Sequence, residues 1–209
     1  TEFFSLPFYV NENTLIPRPE TEELVDWILS NNRINESTNQ IKILDIGTGS
    51  GCIAISLAKN LPNANVHAID VSEKALATAK KNAERNNVTI TFIEKNILET
   101  EDLLNTFDII VSNPPYVRNL EKKEIHKNVL EYEPHLALFV EDNDALLFYR
   151  KIAELATKNL SENGQLYFEI NQYLGKEMVE LLEKYNFKNI ELKKDIYGND
   201  RMIRCVLKS

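Results

Sequence analysis

Short apolar runs rich in β-branched residues alternate with segments of helical periodicity along most of the chain. The runs predict strands over residues 41–46, 65–69, 89–93, 108–111 and 165–170, and the segments between them predict helices near 52–60, 72–86 and 144–160. Strands that alternate with helices are joined by right-handed crossovers, so they form a parallel sheet with helices on both faces. The centre of the chain is therefore expected to fold as a layered α/β structure.

The two ends of the chain depart from this alternation. The pattern there predicts a helix over residues 20–29, a surface loop over 30–40, a helix around 173–185, and two strands at 190–194 and 202–207. The last two strands are joined by a tight turn at 197–200, which makes them an antiparallel hairpin. We therefore predict a doubly wound, Rossmann-like class I methyltransferase fold, with a seven-stranded, mostly parallel sheet ending in an antiparallel hairpin.

Composition and charge narrow the class of protein. The 209 residues are 43% hydrophobic, which fits one globular domain, and no apolar run approaches the roughly 18 residues of a membrane span. Cys52 and Cys205 have no His or Cys at metal-ligand spacing, so neither a metal site nor a disulfide framework is expected. A net charge of -8 argues against a stable nucleic-acid partner. We therefore predict a soluble, cytoplasmic, monomeric protein without membrane contacts.

A glycine-rich turn follows the first strand of the alternating region, at Asp45-Ile46-Gly47-Thr48-Gly49-Ser50-Gly51. Glycines let the backbone turn sharply and approach a ligand closely. The spacing G-x-G-x-G differs from the G-x-G-x-x-G of dinucleotide-binding loops, and the turn carries no P-loop lysine. These features favour a nucleoside ligand over a triphosphate.

Polar residues near the ends of three strands are placed to bind such a nucleoside. Asp70 ends the second strand, where its carboxylate can accept hydrogen bonds from both ribose hydroxyls, although it could instead cap the next helix. Asn96 and Ile97 follow the third strand and are positioned to bond the adenine edge and cover its face, unless they form an ordinary turn. Asp45 has two open roles, since its carboxylate either reaches the cationic amino-acid end of the ligand or bonds loop amides.

The tetrad Asn113-Pro114-Pro115-Tyr116 follows an apolar strand, at the sheet edge where doubly wound folds place ligands. The prolines fix the backbone and leave the Pro114 carbonyl and the Asn113 side-chain oxygen free to accept two hydrogen bonds from one planar NH2 group. Tyr116 could pack over that group. An amide nitrogen is a poor nucleophile, so holding it in line with a reactive sulfonium methyl is the main catalytic task. The tetrad therefore predicts methylation of a planar amide or amino nitrogen.

Several motifs together resemble the HemK/PrmC family of release-factor glutamine methyltransferases. They are the glycine turn, the tetrad, Ile16-Pro17-Arg18-Pro19-Glu20-Thr21-Glu22, Glu133-Pro134 with Ala137-Leu138, and Gly198-Asn199-Asp200-Arg201. The tetrad alone is shared with adenine and guanine methyltransferases that act on nucleic acids, whereas the Arg-Pro-Glu-Thr segment is more specific. The combination therefore favours the release-factor branch over relatives that methylate a ribosomal-protein glutamine.

The resemblance implies that S-adenosyl-L-methionine is the methyl donor, S-adenosyl-L-homocysteine the product, and the Gly-Gly-Gln glutamine of a peptide chain release factor the acceptor. By the same resemblance, the donor would be contacted by Asp45, Gly47, Thr48, Gly49, Ser50, Gly51, Asp70, Asn96, Ile97 and Asn113. The release factor would be contacted by Arg18, Glu20, Thr21, Asn113, Pro114, Pro115 and Tyr116. Asn113 would thus serve both ligands.

The start of the chain differs from the usual family pattern. Family members usually begin with a helical domain that helps to grip the release factor, and this chain opens at Thr1, without Met, where that domain would end. We therefore expect residues 1–209 to be the methyltransferase catalytic domain, with 1–17 a linker or β-hairpin region that follows a missing upstream domain.

Two other classes of function compete with this interpretation. A nucleic-acid methyltransferase acting on an exocyclic amine would need a splayed base and a basic track for the backbone, which 24 Lys and Arg against 32 Asp and Glu do not favour. A noncatalytic cofactor-binding module is disfavoured because both the glycine turn and the tetrad are intact.

Overall fold

The computed structural model describes residues 1–32, 40–118, 139–140 and 144–207. Within these ranges the strands are β1 (Glu2–Phe3), β2 (Leu6–Pro7), β3 (Lys42–Ile46), β4 (Asn65–Asp70), β5 (Thr91–Glu94), β6 (Phe107–Ser112), β7 (Val117–Arg118), β8 (Phe139–Val140), β9 (Leu160–Glu169), β10 (Phe187–Lys194) and β11 (Asp200–Leu207). The helices are α1 (Pro19–Asn32), α2 (Cys52–Asn60), α3 (Glu73–Arg85), α4 (Leu147–Asn159) and α5 (Gly175–Lys184), with a 3₁₀ turn at Ile97–Glu99. Glu133, Pro134, Ala137 and Leu138, which contribute to the family resemblance, lie outside the described residues.

Seven strands form the main sheet, in the order β10-β11-β9-β6-β3-β4-β5. Each strand in the series β9, β6, β3, β4 and β5 is parallel to the next one. β11 is antiparallel to both of its neighbours, β9 and β10. The predicted fold class, a doubly wound and mostly parallel sheet ending in an antiparallel hairpin, is confirmed. Within this sheet β11 alone opposes the common strand direction, because β10 runs the same way as the parallel strands.

The order of the strands reverses beside β3. From β3 the chain proceeds outward through β4 to β5, and it then returns to the other side of β3 as β6. Ile46, at the end of β3, pairs with Ile69 of β4 and with Ser112 of β6. The connections after β3 and β6 therefore diverge and open a crevice at the carboxyl ends of these strands.

Helices cover both faces of the sheet. α4 and α5 pack on one face against residues such as Leu44 and Ile110, and α1 and α2 pack on the other against residues such as Ile43 and Val111. Successive strand residues point to opposite faces, so a continuous apolar run supplies both layers of the core. No helix in the described part of the chain is long and apolar enough to cross a membrane.

The end of α1 differs from the sequence-based prediction. α1 continues to Asn32, so the predicted loop over 30–40 was wrong for residues 30–32. The Asn32 side chain donates to the Ile28 carbonyl at 2.7 Å, and the Asn31 side chain donates to the Tyr167 hydroxyl at 3.0 Å. These bonds anchor the last helical turn although its composition is typical of a loop.

β9 is longer than its apolar run predicts. It begins at Leu160, directly after α4, whereas the periodicity places the start at 165. Leu160 pairs with Phe107 of β6, and the Ser161 hydroxyl donates to the Asp108 carboxylate at 2.7 Å. Pairing and side-chain bonds to β6 thus extend the strand through a polar segment.

Candidate active site

A cavity of about 330 Å³ lies in the crevice beside β3. Twelve of the predicted site residues line it: Arg18, Thr21, Gly47, Thr48, Gly49, Ser50, Asp70, Asn96, Ile97, Asn113, Pro114 and Pro115. The other four, Asp45, Gly51, Glu20 and Tyr116, are not part of this lining. The motifs that suggest donor binding and those that suggest methyl transfer therefore meet in one cavity.

The glycine turn after β3 has a left-handed backbone, with φ of 76° at Gly47, 54° at Gly49 and 82° at Gly51. Gly51 is also closely packed, because a Cβ there would lie 2.9 Å from Ile55 Cδ1 and 3.1 Å from Ala79 Cβ. Gly49 instead lines the cavity, and its lack of a side chain lets a ligand approach the backbone. The glycines of one motif thus serve different purposes.

Asp70, at the end of β4, braces the glycine turn and also lines the cavity. One carboxylate oxygen accepts from Gly49 N–H at 2.8 Å, and the other accepts from Ser72 N–H at 2.9 Å. Burial raises the pKa of Asp70, and the backbone hydrogen bonds oppose this shift. The helix-capping role belongs to Ser72, whose hydroxyl accepts from Ala75 N–H at 3.2 Å. Each Asp70 oxygen keeps a lone pair for a further donor.

Asp45 lies under the turn and is fully buried. Its Oδ2 accepts from the Thr48 hydroxyl at 2.7 Å, while its Oδ1 has no hydrogen-bond partner among the described residues. Burial raises the pKa of Asp45 to about 7, and the Thr48 hydrogen bond opposes that rise. The bond to Thr48 lies within the turn, and both roles left open by the sequence stay predictions.

Asn96 and Ile97 begin the 3₁₀ turn after β5. The Asn96 side-chain oxygen accepts from Leu98 N–H at 3.1 Å, so the ordinary turn that the sequence left open is present. Both residues also line the cavity. Asn96 therefore caps the turn and lies beside the cavity at the same time.

The tetrad begins directly after β6. The Ser112 hydroxyl donates to the Ile46 carbonyl at 2.7 Å, which ties the end of β6 to the end of β3. Asn113 donates from Nδ2 to the Thr21 hydroxyl of α1 at 3.3 Å. Tyr116 turns away from the cavity, donates its hydroxyl to Glu169 at 3.0 Å and packs against the core. Its predicted packing over the target group stays a prediction.

Glu169, at the end of β9, is a buried acid that the sequence motifs do not reveal. Its side chain is 1% exposed and accepts from the Thr21 hydroxyl at 2.6 Å as well as from Tyr116. Burial raises the pKa of Glu169, and these hydrogen bonds together with the Arg201 charge oppose that shift. Its position at the carboxyl end of a central strand is the one sequence signal that could have identified it.

The sequence also misses residues that complete the cavity walls. Phe148 and Ile152 come from α4, and Asn13, Thr14 and Leu15 come from the N-terminal segment. That segment is held over α3, where the Asn82 side chain accepts from Tyr9 N–H at 2.7 Å and donates to the Tyr9 carbonyl at 2.9 Å. Apolar wall residues carry no motif, so periodicity identifies them only as core.

The described residues contain no group of three His, Cys, Asp or Glu side chains that could hold a metal ion. The polar residues that line the cavity include Asp70, Asn96 and Asn113, several serines and threonines, and the cationic residues Arg18 and Lys95. Such groups can bind and orient a polar ligand and an NH2 group beside each other. The arrangement is suited to positioning two reactants.

Comparison with known proteins defines the class of the chain. Residues 23–136 match the family model described as Methyltransferase small domain. A methyltransferase from Pyrococcus furiosus has the same fold with a TM-score of 0.69 at 21% identity, covering 99% of this chain and 91% of that one. The hMettl16 catalytic domain, solved with an RNA hairpin, has a TM-score of 0.73 at 18% identity, covering 98% of this chain and 76% of that one. The fold and the family model define a methyltransferase.

Curated relatives narrow this class to one family. The release factor glutamine methyltransferase of Flavobacterium psychrophilum is 83% identical over 204 residues, which are 98% of this chain and 72% of that protein. The release factor glutamine methyltransferase of Bacteroides thetaiotaomicron is 50% identical over 203 residues, 97% of this chain and 71% of that protein. The chain belongs to the release factor glutamine methyltransferase family, which confirms the resemblance carried by its motifs.

Proposed function

We propose that this chain methylates the side-chain amide nitrogen of the Gly-Gly-Gln glutamine in a peptide chain release factor, using S-adenosyl-L-methionine and producing S-adenosyl-L-homocysteine. One observation carries the proposal. Asn113 and Pro114 share a cavity with the glycine turn in a chain that is 83% identical to a release factor glutamine methyltransferase.

The groups around the glycine turn fit the proposed donor. Asp70 has lone pairs left for the ribose hydroxyls after its two backbone bonds. Asn96 offers an amide to the adenine edge, and Ile97 offers an apolar surface to its face. Gly47 and Gly49 let the backbone lie close to the ligand. When bound, S-adenosyl-L-methionine supplies a methyl group made electrophilic by its sulfonium.

The acceptor side of the cavity is formed by the tetrad. The Asn113 side-chain oxygen and the Pro114 carbonyl accept the two hydrogens of the target NH2 group. These bonds fix the amide plane, so the nitrogen lone pair, which is perpendicular to that plane, faces the donor methyl group. An N–C bond then forms as the C–S bond breaks, and the two acceptors stabilise the positive charge that develops on nitrogen. The cationic nitrogen is acidic and releases its extra proton to water, so no residue has to act as a general base.

The test is a comparison of labelled substrates. The chain is incubated with methyl-labelled donor and, in separate reactions, with a release factor, the same factor carrying Gln→Ala in Gly-Gly-Gln, a ribosomal protein, and DNA. We expect label on the intact release factor and none on its Gln→Ala variant. Label on the ribosomal protein or on DNA, with an unlabelled release factor, would overturn the proposal.

A further inference from the structure

The proposed reaction requires the Asn113 amide to present its oxygen to the target, because an NH2 group can only be held through acceptors. The oxygen and nitrogen ends of an Asn side chain have nearly the same shape, and a half-turn exchanges them. In the exchanged orientation, the Asn113 NH2 would face the NH2 group of the target and repel it. Something in the protein must therefore select one orientation.

The hydrogen-bond partners of Asn113 make that selection. Asn113 Nδ2 lies 3.3 Å from Thr21 Oγ1, and Thr21 Oγ1 lies 2.6 Å from Glu169 Oε2. Thr21 and Glu169 are 2% and 1% exposed, so both hydrogen bonds are shielded from bulk water. A hydroxyl has one hydrogen, and the Thr21 hydroxyl donates it to Glu169 Oε2. The Thr21 hydrogen is therefore committed to Glu169, and its oxygen can only accept from the nitrogen end of Asn113.

Other contacts keep Glu169 as an acceptor. The Tyr116 hydroxyl donates to Oε1 at 3.0 Å, so each carboxylate oxygen receives a hydrogen bond from a different hydroxyl. The positive charge of Arg201 opposes the rise in the Glu169 pKa that burial causes. Arg201 is itself fixed by Asp195, which accepts from its Nε at 3.1 Å. Glu169 is therefore held by two hydroxyl groups and by the charge of Arg201.

We propose that Glu169 and Thr21 are positioning residues that hold the Asn113 amide with its oxygen toward the target nitrogen. This inference rests on the proposed function, because it concerns how the same cavity recognises an NH2 group. Neither positioning residue needs to touch the reacting atoms. Their effect is to make the site specific for a group that donates two hydrogen bonds.

The first experiment compares Thr21→Val with Thr21→Ser. Valine matches threonine in shape but cannot accept from Asn113, whereas serine keeps the hydroxyl. We expect Thr21→Val to lower the single-turnover rate of methyl transfer about 10-fold and Thr21→Ser to stay within about 2-fold of the parent. Donor affinity should be nearly equal in the two variants, and the rates are compared at a temperature at which both remain folded. Equal rates for Val and Ser would overturn the inference.

A double-mutant cycle separates positioning through Asn113 from a general structural effect. In an Asn113→Ala background there is no amide to orient, so adding Thr21→Val should leave the remaining rate unchanged. The inference would be contradicted if Thr21→Val and Asn113→Ala lowered the rate by independent factors that multiply in the double mutant. If the parent chain transfers no methyl to release factor, the proposed function fails, whereas a parent that transfers methyl without coupling between Thr21 and Asn113 contradicts only the inference, so the two failures are distinguishable.

Glu169→Gln provides a test of the carboxylate itself. Glutamine has the size of glutamate but carries an NH2 group, which can donate to Thr21 and free the Thr21 hydrogen to hold Asn113 in the wrong orientation. We expect the rate to fall about 10-fold, with little further loss when Thr21→Val is added. A Glu169→Gln variant that melts at the parent temperature and transfers methyl at the parent rate would show that Glu169 does not act on Asn113.

Discussion

At the residue scale, the proposed chemistry depends most on the Asn113 amide. Replacing Asn113 by Ala removes an acceptor whose bond strengthens as the target nitrogen becomes positive. By analogy with the loss of one group from an oxyanion site, we expect the single-turnover rate to fall about 10²–10³-fold. Donor affinity, measured by calorimetry, should change much less. A parent-like rate in this variant would rule out orientation by Asn113.

Asp70 is expected to govern donor binding. Asp70→Ala removes acceptors for the ribose hydroxyls and the bond from Gly49 N–H, so the affinity for S-adenosyl-L-homocysteine should weaken by roughly 1–3 kcal/mol. Asp70→Asn keeps one carbonyl acceptor and should weaken binding less. Calorimetry on the three proteins provides the comparison, and unchanged affinity in Asp70→Ala would remove Asp70 from the site.

The buried carboxyl of Asp45 should make the stability of the fold depend on pH. Its pKa is about 7 in the folded chain, above the ordinary 3.8, so folding favours the protonated form. The stability that protonated Asp45 contributes is fully present below the pKa of Asp45 in the unfolded chain, and it is lost as pH rises toward 7. Between pH 5 and 8 the parent should lose about 2–3 kcal/mol relative to Asp45→Asn, which has no such proton. Urea unfolding of both proteins across this range tests it, and parallel stability profiles would contradict it.

At the element scale, the sequence predicts the elements better than their ends. β3, β4 and β6 carry short apolar runs rich in β-branched residues, so they are visible in the pattern. The last turn of α1 is not visible, because Asn31 and Asn32 are held by Tyr167 and Ile28 rather than by any apolar stripe. Contacts with another element override local propensity there.

The glycine turn is predicted to tolerate substitution differently at two positions. A Cβ at Gly51 would meet Ile55 and Ala79 within 3.1 Å at a φ of 82°, so Gly51→Ala should destabilise the fold by about 1–3 kcal/mol. Gly49 has no neighbour within 4 Å of an added Cβ, and it lines the cavity. Gly49→Ala should therefore melt at a higher temperature than Gly51→Ala but bind donor more weakly than the parent. A Gly51→Ala variant as stable as Gly49→Ala would refute the packing role.

At the scale of the whole molecule, the candidate site could be predicted only in part. The glycine turn, Asp70, Asn96 and the tetrad each follow a strand, and parallel topology brings strand ends together. The Glu169 partner of Thr21 is 148 positions away in sequence, and no motif joins the two. Their contact depends on how α1 packs beside β9, which local patterns do not encode.

The relatives are longer than this chain. The affinity for release factor can therefore be compared between a longer and a shorter chain. The chain covers 72% of the Flavobacterium psychrophilum relative. Following the family pattern, we propose that a chain extended at its N-terminus to the length of that relative binds release factor more tightly. Donor affinity should stay nearly constant, because the described cavity is formed by residues of the shorter chain. Equal KM values for release factor in both proteins would show that the added region is not a grip.

The position of β11 has a consequence for newly made protein. β11 lies between β9 and β10 although both precede it along the chain. Until residues 200–207 are inserted, β9 presents unpaired backbone groups on a strand whose side chains at Leu166, Tyr167 and Phe168 are buried and apolar in the finished fold. An edge of that kind pairs readily with strands of other molecules. The interval between synthesis of β9 and insertion of β11 is therefore when self-association competes with folding, and a chaperone that shields strand edges would protect the molecule at that stage.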